Sequence, residues 1–108
     1  MDFNKLSNFD LIYSNFGIVF CEKNKINKLI ENIKNQINSA GFFVGNFLGI
    51  EDKWNDENHK DMKIFTSKEV KEIFKDWKIW YISDKHYIMD SSKEKEKNWH
   101  VIEIYAQK

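Results

Sequence analysis

Few residues in this chain are able to do chemistry. The histidines are His59, His86 and His100, and Cys21 is the one thiol. The spacings between these histidines are not those of a zinc site, and no Cys-x-x-Cys pair stands near them. No metal is therefore expected. His100 lies in an apolar run, where an imidazole satisfied by local hydrogen bonds is the plain expectation. Cys21 has no nucleophile motif around it and reads as a small buried hydrophobe. The glycines are Gly17, Gly41, Gly45 and Gly49, which form no phosphate-cradling G-x-G-x-x-G loop.

Composition narrows the classes further. The 108 residues suit one domain with a core of small margin. Nine Phe, four Trp and four Tyr supply large apolar area and argue for a folded chain. Basic and acidic residues balance at 17 each, and every basic one is Lys. Zero net charge without Arg speaks against nucleic-acid binding. No apolar stretch is long enough to cross a membrane. The N-terminus, Met1-Asp2-Phe3-Asn4-Lys5, lacks a signal peptide's pattern. A lone cysteine suits a reducing compartment, so a soluble cytoplasmic protein is expected.

The elements follow from periodicity. Phe9-Asp10-Leu11-Ile12-Tyr13 reads as a first strand, and Ile18-Val19-Phe20-Cys21 as a buried connection. Residues 24–39 carry Ile26, Leu29, Ile30, Ile33 and Ile37 at helical spacing. Asn24 is the expected N-cap and Gly41 the expected terminator. Phe42 to Leu48 is apolar on both alternations, as in a strand covered on both faces. A polar loop runs from Ile50 to about Phe65. Thr66 and Glu69 have capping-box spacing, and Val70, Ile73, Phe74 and Trp77 give the next helix an apolar face. Lys78 to Met89 and Trp99 to Ala106 read as strands of an antiparallel hairpin. The Lys/Glu run at 93–97 between them reads as its solvated tip. A strand–helix–strand start implies a parallel pair with a right-handed crossover.

That order, together with Phe9-Asp10-Leu11-Ile12-Tyr13-Ser14, Phe20-Cys21, Gly41 to Gly49 and Lys97-Asn98-Trp99-His100-Val101-Ile102, resembles one family. It is the C-terminal half of a class I, Rossmann-like S-adenosylmethionine-dependent methyltransferase, in the small-molecule and tellurite-resistance-type branch. The aromatic-Asp-Leu-Ile strand, the Phe-Cys before a helix, the glycine-led strand and the Lys-x-Trp-His opening of the last strand carry the likeness over nearly the whole chain. The resemblance implies a partial α/β sandwich of about four strands in the order 1-2-4-3, the last antiparallel, with two main helices. It implies a single partial domain over residues 1–108 without the N-terminal cofactor-binding half, its glycine-rich loop and its ribose carboxylate.

The implied function is methyl transfer from S-adenosylmethionine to a small molecule, without activity in this chain alone. Cofactor contacts would come from Tyr13, Ser14, Asn15 and Phe16 at the first strand's C-terminal end. Substrate contacts would come from Asn46 and Trp54. Against these roles, Phe16, Trp54 and Trp99 also read as packing residues, and Ser14 and Asn15 also suit a turn. The other reading is a non-catalytic, truncated module that folds by self-association or pairs with another chain. The strand at Phe9–Tyr13 would then offer an open edge, so the expected partner is the missing N-terminal half or a second copy, in a homodimer joined through this edge or by packing of exposed faces.

Overall fold

The computed structural model describes residues 9–56, 59–91 and 95–108. In chain order the elements are β1 (Phe9–Ser14), α1 (Ile26–Gln36), β2 (Ile37–Leu48), α2 (Ser67–Ile73), β3 (Lys78–Met89) and β4 (Lys97–Gln107). The strands form one open sheet in the order β1-β2-β4-β3. β1 and β2 are parallel, while β4 runs antiparallel to both β2 and β3. The predicted α/β architecture is the one observed, with the last strand inside the sheet.

One face of the sheet is covered by the two helices along β2 and β4. Phe43 and Phe47 of β2 and Ile102, Ile104 and Ala106 of β4 point to it, in register as Phe43↔Ala106 and Phe47↔Ile102. Against them pack Ile26, Ile30 and Ile33 of α1 and Val70 of α2, with Phe74 just beyond. Phe43 and Phe74 stack at 5.3 Å. The Lys34 ammonium donates to the Ile73 carbonyl at 2.6 Å, tying α1 to the end of α2.

The start of α2 is as its sequence predicts. The Glu69 N–H donates to the Thr66 hydroxyl, and the Thr66 N–H to the Glu69 carboxylate. The end of α1 differs. The helix stops at Gln36, and Ile37 is already extended. Ile37 keeps its place in the same core, so burial rather than helicity kept it in the periodic pattern. Asn24 does not cap this helix: Lys25 occupies the N-cap and makes no side-chain cap bond. Gly41 is no terminator either, since it lies buried inside β2. A Cβ there would meet Ile37 Cγ2 at 2.8 Å and the Asp10 carbonyl at 3.0 Å, so β1 and β2 approach closely only because it is absent.

The second face is covered at one end only. There Val19, Leu48, Trp54, Trp99 and Val101 form a separate cluster under the loops after β1 and β2, joined by Phe16, Met62, Ile64 and Tyr87. At the other end Phe42 is exposed and Val44 half-buried. The expectation that β2 is covered on both faces therefore holds only along its C-terminal part.

Lys97 corrects a further expectation. It was assigned to the solvated tip but is fully buried. Its ammonium pairs with the buried Asp52 carboxylate and lies 3.5 Å from the Trp99 ring centre and 4.3 Å from that of Trp54. Asp52 also accepts the Trp54 N–H at 2.9 Å and the His100 N–H at 2.8 Å. Lys93 and Glu94 of that run lie outside the described residues.

On the helix-covered face, the His100 ring accepts the Glu51 N–H at Nδ1, 3.0 Å, which fixes its proton on Nε2. That Nε2 sits 2.8 Å from Asp84, whose other oxygen accepts the Ser67 hydroxyl at 2.5 Å. The ring passes so close to Gly49 that a Cβ there would stand 2.2 Å from Nδ1.

Two outcomes are expected. Lys97→Met leaves the Asp52 charge buried and unpaired, and should cost about 3–5 kcal/mol in urea unfolding. The Ser67 hydroxyl first, then the His100 ring, hold the Asp84 carboxyl below its ordinary value of 3.8. Such a group contributes stability that is present above the unfolded value and lost as pH falls through the folded one. The stability difference between wild type and Asp84→Asn should therefore be constant near neutrality and shrink below about pH 4. A difference that grows on acidification would refute the assignment.

Candidate functional site

The C-terminal end of β1 opens onto the second face of the sheet, where the covered part meets the uncovered part. A cleft of about 240 Å³ lies there, lined by Asn15, Phe16, Asn46, Lys85, Tyr87, Val101 and Glu103. A larger depression of about 730 Å³ lies beside Glu22, Lys23, Asn24, Asn27, Asp61 and Lys63. Its polar side chains are exposed or half-buried. The smaller cleft holds the organised polar groups, and it sits where open α/β sheets bind ligands.

Asn46 organises it. Its side chain is buried and its Oδ1 accepts the Phe16 N–H at 2.8 Å. Its Nδ2 donates to Asn15 Oδ1 at 3.3 Å. Phe16 has a φ of 62°, in the left-handed region. A bulky residue held there costs on the order of 1–3 kcal/mol and persists where surrounding bonds impose it. The Asn46 amide is that constraint, aided by edge-on packing of the Phe16 ring against Trp99 at 5.3 Å. The turn after β1 is thus fixed before any ligand arrives.

The opposite wall comes from the hairpin. Lys85 pairs with Glu103 at 2.5 Å, and this contact raises the lysine's pKa. Burial first, then the Glu103 and Asp52 carboxylates, raise the Tyr87 phenol. At neutral pH the cleft therefore presents an ammonium and an intact phenol, beside the Glu103 side chain and the amides of Asn15 and Asn46. These groups can orient a small polar molecule by hydrogen bonds.

The structure brings Asn15, Phe16 and Asn46 together in this cleft. Asn46 lies within β2, two residues before its end. Ser14 is half-buried at the end of β1, and Tyr13 is exposed on the uncovered face. Trp54 is buried in the neighbouring aromatic cluster, 5.2 Å from Trp99 and stacked on His59 at 5.0 Å. Lys85, Tyr87 and Glu103 went unnoticed in the sequence. Ser83↔Glu103 and Lys85↔Val101 pairing puts them there, and a strand's own sequence does not reveal its register. Cys21 is half-buried. Among the described residues, no group of three or more His, Cys, Asp or Glu is placed to hold a metal ion. No described helix is long and apolar enough to cross a membrane.

A parallel β1–α1–β2 unit closed by an antiparallel hairpin, with a cleft at the strand end, has the fold of part of a class I S-adenosylmethionine-dependent methyltransferase domain. Solved structures carry that statement. TehB from Haemophilus influenzae superposes with a TM-score of 0.77 over 98% of this chain and 37% of its own, at 18% identity. A SAM-dependent methyltransferase from Methanosarcina mazei matches at 0.62 over 100% of this chain and 65% of its own, at 15% identity. The N-methyltransferase NodS from Bradyrhizobium japonicum, in complex with S-adenosyl-L-homocysteine, matches at 0.61 over 99% and 51%, at 14% identity. This chain thus spans between about a third and two thirds of the length of these proteins. No protein-family model matches the sequence, and no curated protein matches it.

Asn46→Ala should release the turn. It leaves the Phe16 N–H without its acceptor, at a cost of about 1–3 kcal/mol. Asn27→Ala, on the exposed side of α1, should stay within about 0.5 kcal/mol of wild type. Equal, small effects of the two in chemical denaturation would show that Asn46 does not hold the turn.

Proposed function

We propose that this chain is the C-terminal part of an S-adenosylmethionine-dependent methyltransferase acting on a small molecule. The observation that carries the reading is the cleft at the end of β1, organised by Asn46 and Asn15, within a fold shared with such enzymes. In this reading Ser14, Asn15 and Phe16 form one edge of the cofactor site, with Tyr13 beside them. Asn46 and the Lys85–Glu103 pair face the acceptor, with Trp54 supporting the wall behind. Its setting is the cytoplasm, where the lone Cys21 stays reduced.

The fit to the cofactor is partial. The cleft of about 240 Å³ is smaller than the roughly 300–1,000 Å³ that encloses a drug-sized ligand. The sequence has no glycine-rich loop to cradle the rest. S-adenosylmethionine, when bound, supplies an electrophilic methyl on its sulfonium. The residues here would position an acceptor in line, and such positioning alone supplies much of the rate. The chain alone is accordingly inactive.

A nuclear magnetic resonance titration with S-adenosyl-L-homocysteine to millimolar concentration tests this. Shifts should concentrate at Ser14, Asn15, Phe16 and Asn46 without saturating. Shifts confined to the Glu22–Asp61 depression, or none anywhere, would overturn the reading. Micromolar affinity in calorimetry would overturn the claim of inactivity in isolation.

A second reading is a non-catalytic module that acts by association with itself or another chain. The uncovered half of the sheet's second face favours it.

A further inference from the structure

We infer that this uncovered half-face is an interface, and that its occupant is a second copy of this chain. The inference rests on the second reading above and is independent of methyl transfer. Sheet register builds the surface. Tyr13 lies opposite Val44, Val44 opposite Tyr105, and Tyr105 opposite Tyr81, so one row crosses all four strands. The next row sets Leu11 opposite Phe42 and Phe42 opposite Gln107. At its outer end the Trp80 indole N–H donates to Gln107 Oε1 at 2.9 Å. Leu11, Tyr13, Phe42, Trp80, Tyr81 and Tyr105 are each between 37% and 66% exposed.

Size distinguishes this patch from ordinary scattered surface hydrophobes. Five aromatic side chains of roughly 150–250 Å² each, about half exposed, amount with Leu11 to on the order of 500 Å². That reaches the upper part of the roughly 300–600 Å² a typical monomer shows as its largest patch. It is also the greater part of the roughly 800 Å² each partner contributes to a standard interface. The composition is that of an interface core, rich in Tyr, Trp and Phe and without a central charge.

The border argues for a copy of the same chain. A two-fold contact places a patch against itself, so a border of one sign would repel. Here Lys78 stands over Trp80 at 3.8 Å, and Lys85 pairs with Glu103. Both signs are present, and the whole chain has zero net charge. The face is a better surface than the outer edge of β1. That strand has six residues, so its outer edge offers few unpaired backbone groups for strand addition.

Light scattering on sized protein at micromolar concentration should give twice the 13.0 kDa chain mass. Tyr13→Glu combined with Tyr105→Glu should return one chain mass with an unchanged circular dichroism spectrum. Trp80→Lys, at an exposed position on the edge strand β3, should by itself weaken the dimer at least tenfold. A monomeric wild type would overturn both self-association and this surface, and assign the face to a different occupant. A wild-type dimer that survives all three substitutions would keep self-association and overturn this surface.

Discussion

The pairing of Lys97 with Asp52 is the contact on which the rest of the second face depends. Both side chains are buried, and removing two charges from water is costly unless every remaining bond is made. Here they are made. Asp52 takes two backbone N–H groups as well as the ammonium, and the ammonium lies between two indole rings. The pair draws the loop after β2 down onto the start of β4. That places Trp54 against Trp99, and Trp99 against Phe16. It also holds the His100 backbone in register with Gly49, which sets the ring against Asp84 and thereby against Ser67 at the head of α2. One ion pair thus bears on the covered end of one face and the helix anchoring of the other.

Strand count and the two helices were legible in the sequence because each rests on local pattern: a capping box at Thr66, helical spacing from Ile26, apolar runs bounded by polar ones. Strand order was implied by the family resemblance alone. The failures share a physical cause. Ile37 and Gly41 were assigned by the needs of a helix, yet burial in the core sets the first and the close approach of β1 to β2 the second. Lys97 was placed in solvent because four of its neighbours from 93 to 97 are charged. What buries it is Asp52, 45 residues away. Lys85 and Glu103 meet only through hairpin register. Local pattern cannot show a contact whose partner is decided by pairing.

The cleft shows the same division. Asn46 could be singled out as a polar residue in an apolar strand. Its work was not visible, because it consists in holding Phe16 in a left-handed conformation across 30 residues of sequence. Strain of this kind is maintained only by an over-determined surrounding. The cleft contains groups that orient a ligand, with no activated nucleophile among its lining residues. For a displacement whose reactive methyl comes with the cofactor, orientation is the main contribution required of the protein.

The position of the cleft links it to the uncovered face. Asn46 and Glu103 lie opposite each other in register, and the next same-face pair along these strands is Val44 and Tyr105. The cleft therefore ends where the aromatic row begins. A cover over Tyr13 and Tyr105 would lie beside the cleft. If it added a wall there, occupancy of the face and affinity at the cleft would be linked, because such a cover binds the liganded form differently from the free one. A second copy that closed the wall would strengthen ligand binding, and one that filled the space would weaken it. In either case the reciprocal effect on association would be of the same size.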